Sequence, residues 1–205
     1  MAEVTALIDY GAGNLRSVAN ALRTAGCDSV VITADPDVVR AADRIVLPGV
    51  GAFRACIEAL RGVPGLVAAM TERVQVGGAP FLGICVGMQL LATRGVEFGV
   101  TEGLGWIGGE VRLIEPADPS IKVPHMGWND VAPRADSLIA PGDAYFLHSY
   151  HFVPDHGGDV AAITDHGGGL VAAVARDTLL GVQFHPEKSQ DYGLALLARF
   201  LAWKP

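Results

Sequence analysis

Cys85 sits in the run GICVGMQ, residues 83 to 89, with one glycine two positions before it and another two positions after. The apolar run PFLGIC leads into it from residue 80, and a helical pattern leaves it. In an open α/β sheet, ligands bind at the carboxyl ends of the strands, where a sharp strand-to-helix turn lifts one side chain above the sheet edge. Glycines on both sides relieve the crowding of such a turn. A thiol there can act as a nucleophile: a helix starting at Val86 favours the thiolate through its N-terminal dipole, and the Val86 N–H points at an oxyanion position. Cys27 and Cys56 lack this setting and read as packed thiols.

A cysteine nucleophile needs a base, and the base needs a group to orient it. In LLGVQFHPEKS, His185 closes a strand-like run just before Pro186, and Glu187 follows two residues later, where a carboxylate can fix the imidazole tautomer. The segment LPGVGAF, residues 47 to 53, reads as a strand ending in a Pro-Gly turn, where glycine lets a backbone N–H face the same oxyanion as Val86. His148 and His151 in HSYH form an i, i+3 pair that on one strand faces opposite sides, with no third ligand evident, so no metal site is expected. His125, His156 and His166 lie near Pro or Gly turns and read as surface or structural.

The elements that must position these groups follow from hydrophobic periodicity. Strands are expected at 4–9, 29–33, 44–49 and 80–85. Between the first two lies a helix with Leu15, Val18, Leu22 and Ala25 on one face and Gly26 as its stop, and helical material should run to about residue 76. This alternation predicts right-handed crossovers and a mostly parallel sheet covered on both faces. After residue 104, strand-like runs separated by turns such as DHGGD and DHGGGL predict antiparallel hairpins. A last helix should be capped by Ser189 and packed through Leu194, Leu197, Phe200 and Leu201. With no linker or repeat, residues 1–205 read as a single α/β domain.

The bulk composition agrees. Half of the 205 residues are hydrophobic and 18% are charged, which suits a compact core. A net charge of −7 without any Lys/Arg run argues against nucleic acid as a partner. Three widely spaced cysteines form neither a disulfide framework nor a zinc pattern and suit a reducing compartment. The start MAEVTALIDYG has no basic flank, and the uncharged stretch 74–93 is broken by Pro80 and glycines, so neither a targeting peptide nor a membrane span is expected. The expected location is the cytoplasm.

LPGVGAF, GICVGMQ and QFHPEKS, in this order and spacing, resemble the signatures of class I glutamine amidotransferases. The resemblance implies a flavodoxin-like α/β fold and a Cys85, His185, Glu187 triad that hydrolyses the side-chain amide of L-glutamine without a cofactor or metal. It further implies an oxyanion strand at Gly49, Val50 and Gly51, beside Val86, and glutamine held by Gln89 and Glu97. IDYGAGNLRSV, PHMGWN and HPEKSQDYG are similar to segments of the glutaminase subunits of imidazole glycerol phosphate synthase, nearly from end to end of the chain. That likeness implies a heterodimer with a separate (β/α)8-barrel cyclase subunit, touched by Asn14, Met126, Trp128 and Lys188. His151 departs from the aromatic or basic residue expected there. Two rival readings are the glutaminase subunit of another synthase and a non-catalytic flavodoxin-like module.

Overall fold

The structure is a computed structural model that describes residues 3–134 and 137–205. Its first half alternates as the periodicity predicts. Strand β1 (Val4–Ile8) leads to helix α1 (Leu15–Thr24), then β2 (Ser29–Thr33), α2 (Pro36–Ala41) and β3 (Arg44–Gly49). The expected helical run to residue 76 divides into α3 (Phe53–Gly62), α4 (Leu66–Thr71) and a wider π turn at Glu72–Val76. The break falls at Pro64-Gly65, where Pro64 cannot continue the helix ladder and Gly65 takes φ +77°. Strand β4 (Phe81–Cys85) then runs into α5 (Val86–Gln89).

Helix α5 is a single turn. The carbonyls that a longer helix would use are taken elsewhere: Leu90, Leu91 and Ala92 accept from the N–H groups of Leu104, Ile107 and Gly105. The dipole behind Cys85 is therefore that of one turn.

The remaining strands are β5 (Arg94–Gly95), β6 (Thr101–Glu102), β7 (Gly109–Leu113), β8 (His125–Pro133), β9 (Gly142–His148), β10 (Tyr150–Pro154), β11 (Val160–Asp165), β12 (Gly169–Arg176) and β13 (Leu179–Val182), before helix α6 (Gln190–Ala202). The large sheet has the order β2-β1-β3-β4-β13-β12-β11-β8-β9. Its first five strands pair in parallel, and from β13 outward every pairing is antiparallel. A smaller sheet, β10-β7-β5-β6, stands beside it. Strands β3 and β4 are buried throughout, as central parallel strands must be.

Two sequence readings change. HSYH is not one strand: β9 ends at His148, β10 begins at Tyr150, and the chain passes from the large sheet to the small one at Ser149. The two histidines thus belong to different sheets. Ser189 precedes α6, but its hydroxyl does not cap the helix; it donates to the His185 carbonyl at 2.7 Å and accepts from the Tyr145 N–H at 2.9 Å. On α6, Leu197 and Phe200 are buried as expected, joined by Gly193 and Leu196, while Leu194 and Leu201 are partly buried.

Candidate active site

The carboxyl ends of β3, β4 and β13 meet at one edge of the parallel sheet, and Gly49 pairs directly with Cys85 in the β3–β4 register. Cys85 holds φ +54° and ψ −112°, a conformation that costs a non-glycine residue energy and marks a strained elbow. The flanking glycines are required by close approach. A Cβ on Gly87 would stand 1.9 Å from the Leu47 carbonyl oxygen, and one on Gly83 would stand 2.6 Å from the Gly87 oxygen. A Cβ on Gly49 would meet the Gly87 nitrogen at 2.7 Å. Three backbones therefore touch at the elbow because none of these positions carries a side chain.

His185 follows β13, with its N–H donating to the Tyr145 carbonyl at 2.9 Å. Its Nδ1 lies 2.8 Å from Glu187 Oε1, and both side chains are almost wholly buried. Burial opposes the charged imidazolium, but the Cys85 sulfur and the Glu187 carboxylate outweigh it and raise the His185 pKa to about 9. Such an imidazolium can stabilise a thiolate beside it and later deliver a proton.

Cys85 and His185 share a pocket of about 180 Å³ with Val50, Gly51, Val86, Gln89, Glu97, His148, Tyr150 and Lys188. This is small beside the roughly 300–1,000 Å³ of common ligand sites, and suits a ligand of amino-acid size. Gly49 lies at the β3 end beneath it. The turn after β3 is braced from behind: the Tyr10 hydroxyl donates to the Pro48 carbonyl at 2.8 Å and the Cys56 thiol to the Val50 carbonyl at 3.3 Å. Gly51 adopts φ +99°, open to glycine at little cost. Burial pushes the pKa of the Cys56 thiol up and its contact with Tyr10 offsets this only in part, which suits a bracing role and not a nucleophilic one.

Glu97 stands on the pocket wall, and its Oε2 accepts from the Phe53 N–H at 2.8 Å, serving the start of α3, which has no side-chain cap of its own. Gln89 is buried, and its amide nitrogen is committed to the Tyr150 carbonyl at 2.9 Å and to Gln183 Oε1 at 3.0 Å. Only its oxygen remains for a ligand.

Of the residues assigned to a partner surface, Lys188 lines the pocket. Met126 and Trp128, 62% and 50% exposed, project from the outer face of β8. Trp128 packs edge-on against Tyr145, with ring centroids 6.1 Å apart, and Lys188 Nζ stands 5.9 Å from the Tyr145 ring. Lys188 thus joins the pocket rim to Trp128. Asn14 is exposed and caps α1 through Ser17.

The inner face of β8 carries a neutral hydrogen-bonded chain. His148 Nδ1 donates to the Tyr150 carbonyl at 2.9 Å, so its Nε2 accepts from His125 Nδ1 at 3.1 Å, and His125 Nε2 accepts from Asn129 Nδ2 at 3.0 Å. Burial, helped by neighbouring histidines and opposed at His148 by the Tyr150 carbonyl, lowers the pKa of His125 to about 4 and of His148 to about 3. His125 is structural, as expected, but His148 lines the pocket, which nothing in its sequence context anticipates. Gln183 escapes the sequence reading as well, although its spacing of two from His185 would place both on one face of a strand.

A buried Cys-His-Glu set on a strained strand-to-helix elbow, in a parallel sheet, defines a cysteine-dependent amide- or ester-cleaving α/β protein. The chain belongs to the glutamine amidotransferase class-I family, whose model matches residues 6–202. It is 60% identical over 204 residues to the imidazole glycerol phosphate synthase subunit HisH of Zymomonas mobilis, covering 98% of this chain and 96% of that one. It is 54% identical over 211 residues to the subunit of the same name from Rhodospirillum rubrum, covering 98% and 99%. Among solved structures, a glutamine amidotransferase aligns with a TM-score of 0.76 at 21% identity over 97% of both chains. PurLQS of Thermotoga maritima aligns with a TM-score of 0.72 at 20% identity over 98% of this chain and 99% of that one. These two show the shared fold.

Among the described residues, no helix is long and apolar enough to cross a membrane.

Proposed function

We propose that the chain, acting as one amidotransferase domain in the cytoplasm, is the glutaminase subunit of an imidazole glycerol phosphate synthase in histidine biosynthesis. The observation that carries this reading is the buried His185–Glu187 pair facing Cys85 at the elbow, in a chain 60% identical to a subunit of that name. The Cys85 thiolate attacks the side-chain amide carbon of L-glutamine, and the oxygen takes up the negative charge near Val86 and the turn at Gly49, Val50 and Gly51. As the carbonyl reforms, the C–N bond breaks and His185 gives its proton to the departing nitrogen, releasing ammonia. Water, deprotonated by His185, then adds to the thioester; the C–S bond breaks, glutamate leaves and the thiolate returns. Glu187 holds the ring in the orientation both steps need. Glu97 suits the α-ammonium of glutamine, and the Gln89 oxygen completes the cradle.

Ammonia released to water at neutral pH is mostly protonated and cannot attack. Hydrolysis without an acceptor wastes glutamine, which favours direct transfer to a (β/α)8-barrel cyclase subunit docked over Met126, Trp128, Lys188 and Asn14. The cyclase uses the ammonia to make imidazole glycerol phosphate and an aminoimidazole carboxamide ribotide. Docking of the partner with its ligand resets the oxyanion turn, a population shift between two arrangements. The test is ammonia and glutamate release from glutamine by the wild type and Cys85→Ala, with and without the cyclase subunit and its nucleotide. Release that rises strongly with the partner and vanishes in Cys85→Ala is expected. Turnover indifferent to the partner would refute the coupling, and no release under any condition would refute the glutaminase assignment.

A further inference from the structure

Gln183 is completely buried directly after β13, and its N–H is fixed by the Ala172 carbonyl at 2.8 Å. Its side chain ends a short chain of hydrogen bonds that starts at a backbone carbonyl. The Tyr150 oxygen can only accept, so the group of Gln89 that meets it at 2.9 Å is the amide nitrogen. That nitrogen also lies 3.0 Å from the Gln183 side chain, and having donated to one oxygen it donates to the other. Gln183 therefore shows its oxygen to Gln89, and its own amide nitrogen faces the Cys85 sulfur at 3.7 Å. The polarity of the chain, set by a group with no alternative, makes the sulfur the acceptor.

We propose that Gln183 is a further catalytic residue: its side-chain N–H, locked in direction by Gln89 and the Tyr150 carbonyl, holds the Cys85 sulfur as an acceptor and so favours the thiolate. A thiol accepts weakly, whereas a thiolate accepts a charge-assisted bond, so the donor stabilises the ionised form selectively. It also leaves the thiol hydrogen no acceptor on the Gln183 side, directing it toward His185. The inference deepens the glutaminase reading but acts on the sulfur alone, before any substrate binds.

The experiment follows alkylation of Cys85 by iodoacetamide across pH, read by mass spectrometry of the Cys85 peptide so that Cys27 and Cys56 do not contribute. Gln183→Met keeps the length and removes the donor; at neutral pH its alkylation should be slower than wild type by about tenfold, the equivalent of roughly one pH unit. At strongly alkaline pH, where every thiol is ionised, the rates should converge. Gln183→Glu still accepts from Gln89 but puts a carboxylate against the sulfur, and should be slower still. Circular dichroism establishes folding; if Gln183→Met does not fold, Gln183→Glu decides on the same readout. A folded variant that alkylates like wild type across the pH range would overturn the proposal. Because neither glutamine nor a partner enters the assay, slowed alkylation with no ammonia release from wild type would sustain the role of Gln183 and overturn only the glutaminase reading.

Discussion

Replacing Gly87 by alanine tests whether the elbow is held by backbone contact. The added Cβ would sit 1.9 Å from the Leu47 oxygen and 2.9 Å from its carbon, against a comfortable separation of about 3.5–4.0 Å between carbon atoms. The atom it meets belongs to the backbone of β3, a central strand that cannot swing aside as a side chain would. The elbow and the β3 end must therefore separate by more than about 1 Å. Overpacking of a core costs about 1–3 kcal/mol, and a clash with a central strand belongs at the upper end. For a chain of this size that lowers Tm by about 6–12 °C. The same displacement moves Cys85 away from the oxyanion turn, and a misplacement of about 1 Å costs catalysis on the order of a hundredfold. At Gly62, the last residue of α3, an added methyl group would meet nothing within 4 Å, so Gly62→Ala should instead stabilise by up to about 1 kcal/mol and leave turnover unchanged. Urea denaturation and glutamine turnover, measured on both variants, decide the matter. Gly87→Ala within about 0.5 kcal/mol of wild type and fully active would refute the close-contact account.

Acid should weaken the fold through three histidines. Burial lowers the pKa of His125 to about 4, of His148 to about 3 and, with Arg112 nearby, of His151 to about 4. The folded chain then refuses protons that the unfolded chain accepts below about pH 6.5, so their full stability is present above that pH and is lost as pH falls toward about 4. At up to about 1.4 kcal/mol per pH unit for each histidine, roughly 3–4 kcal/mol should disappear between about pH 6 and pH 5. His185, raised to about 9, acts oppositely: its contribution is complete below about pH 6.5 and fades as pH rises through about 9. A urea midpoint that stays flat over the acid window would contradict these neutral histidines. Glu97→Ala should raise KM for glutamine more than it lowers kcat, and should cost about 0.3–1 kcal/mol through the uncapped start of α3; initial-rate kinetics with an unchanged KM would remove Glu97 from the substrate cradle.

The parallel half of the fold was readable because each strand and helix there keeps one period over its whole length. The elbow was readable for a different reason: glycines two before and two after a cysteine mean little to a helix or strand but are what three converging backbones require. His185 and Glu187 could be named because they are neighbours in sequence. What stayed hidden depends on pairings between distant segments. PHMGWN, broken by Pro124 and Gly127, does not look like a strand, yet β9 recruits it as β8. The helix after Cys85 stops after one turn, and the residues that claim the next carbonyls lie at 104–107, out of reach of a local reading. Ser189 looks like a cap, and only the folded chain brings Tyr145 to its hydroxyl. The orientation of Gln183 depends on a carbonyl at Tyr150 and could not be read from either residue.

The hydroxyl of Ser189 has a mechanical consequence. His185 donates its N–H to the Tyr145 carbonyl, while Ser189 bridges the Tyr145 N–H and the His185 carbonyl at 2.9 and 2.7 Å. These bonds close a ring that clamps the backbone of His185 to β9, so the imidazole travels with that strand as one stiff body. A displacement of β9 at Tyr145 therefore carries the backbone of His185 with it. The glycine-flanked turn at Val50 is held separately, by one thiol and one phenol. His185 and the turn at Val50 are thus anchored to different strands, β9 and β3, and their relative aim changes only when those strands shift against each other.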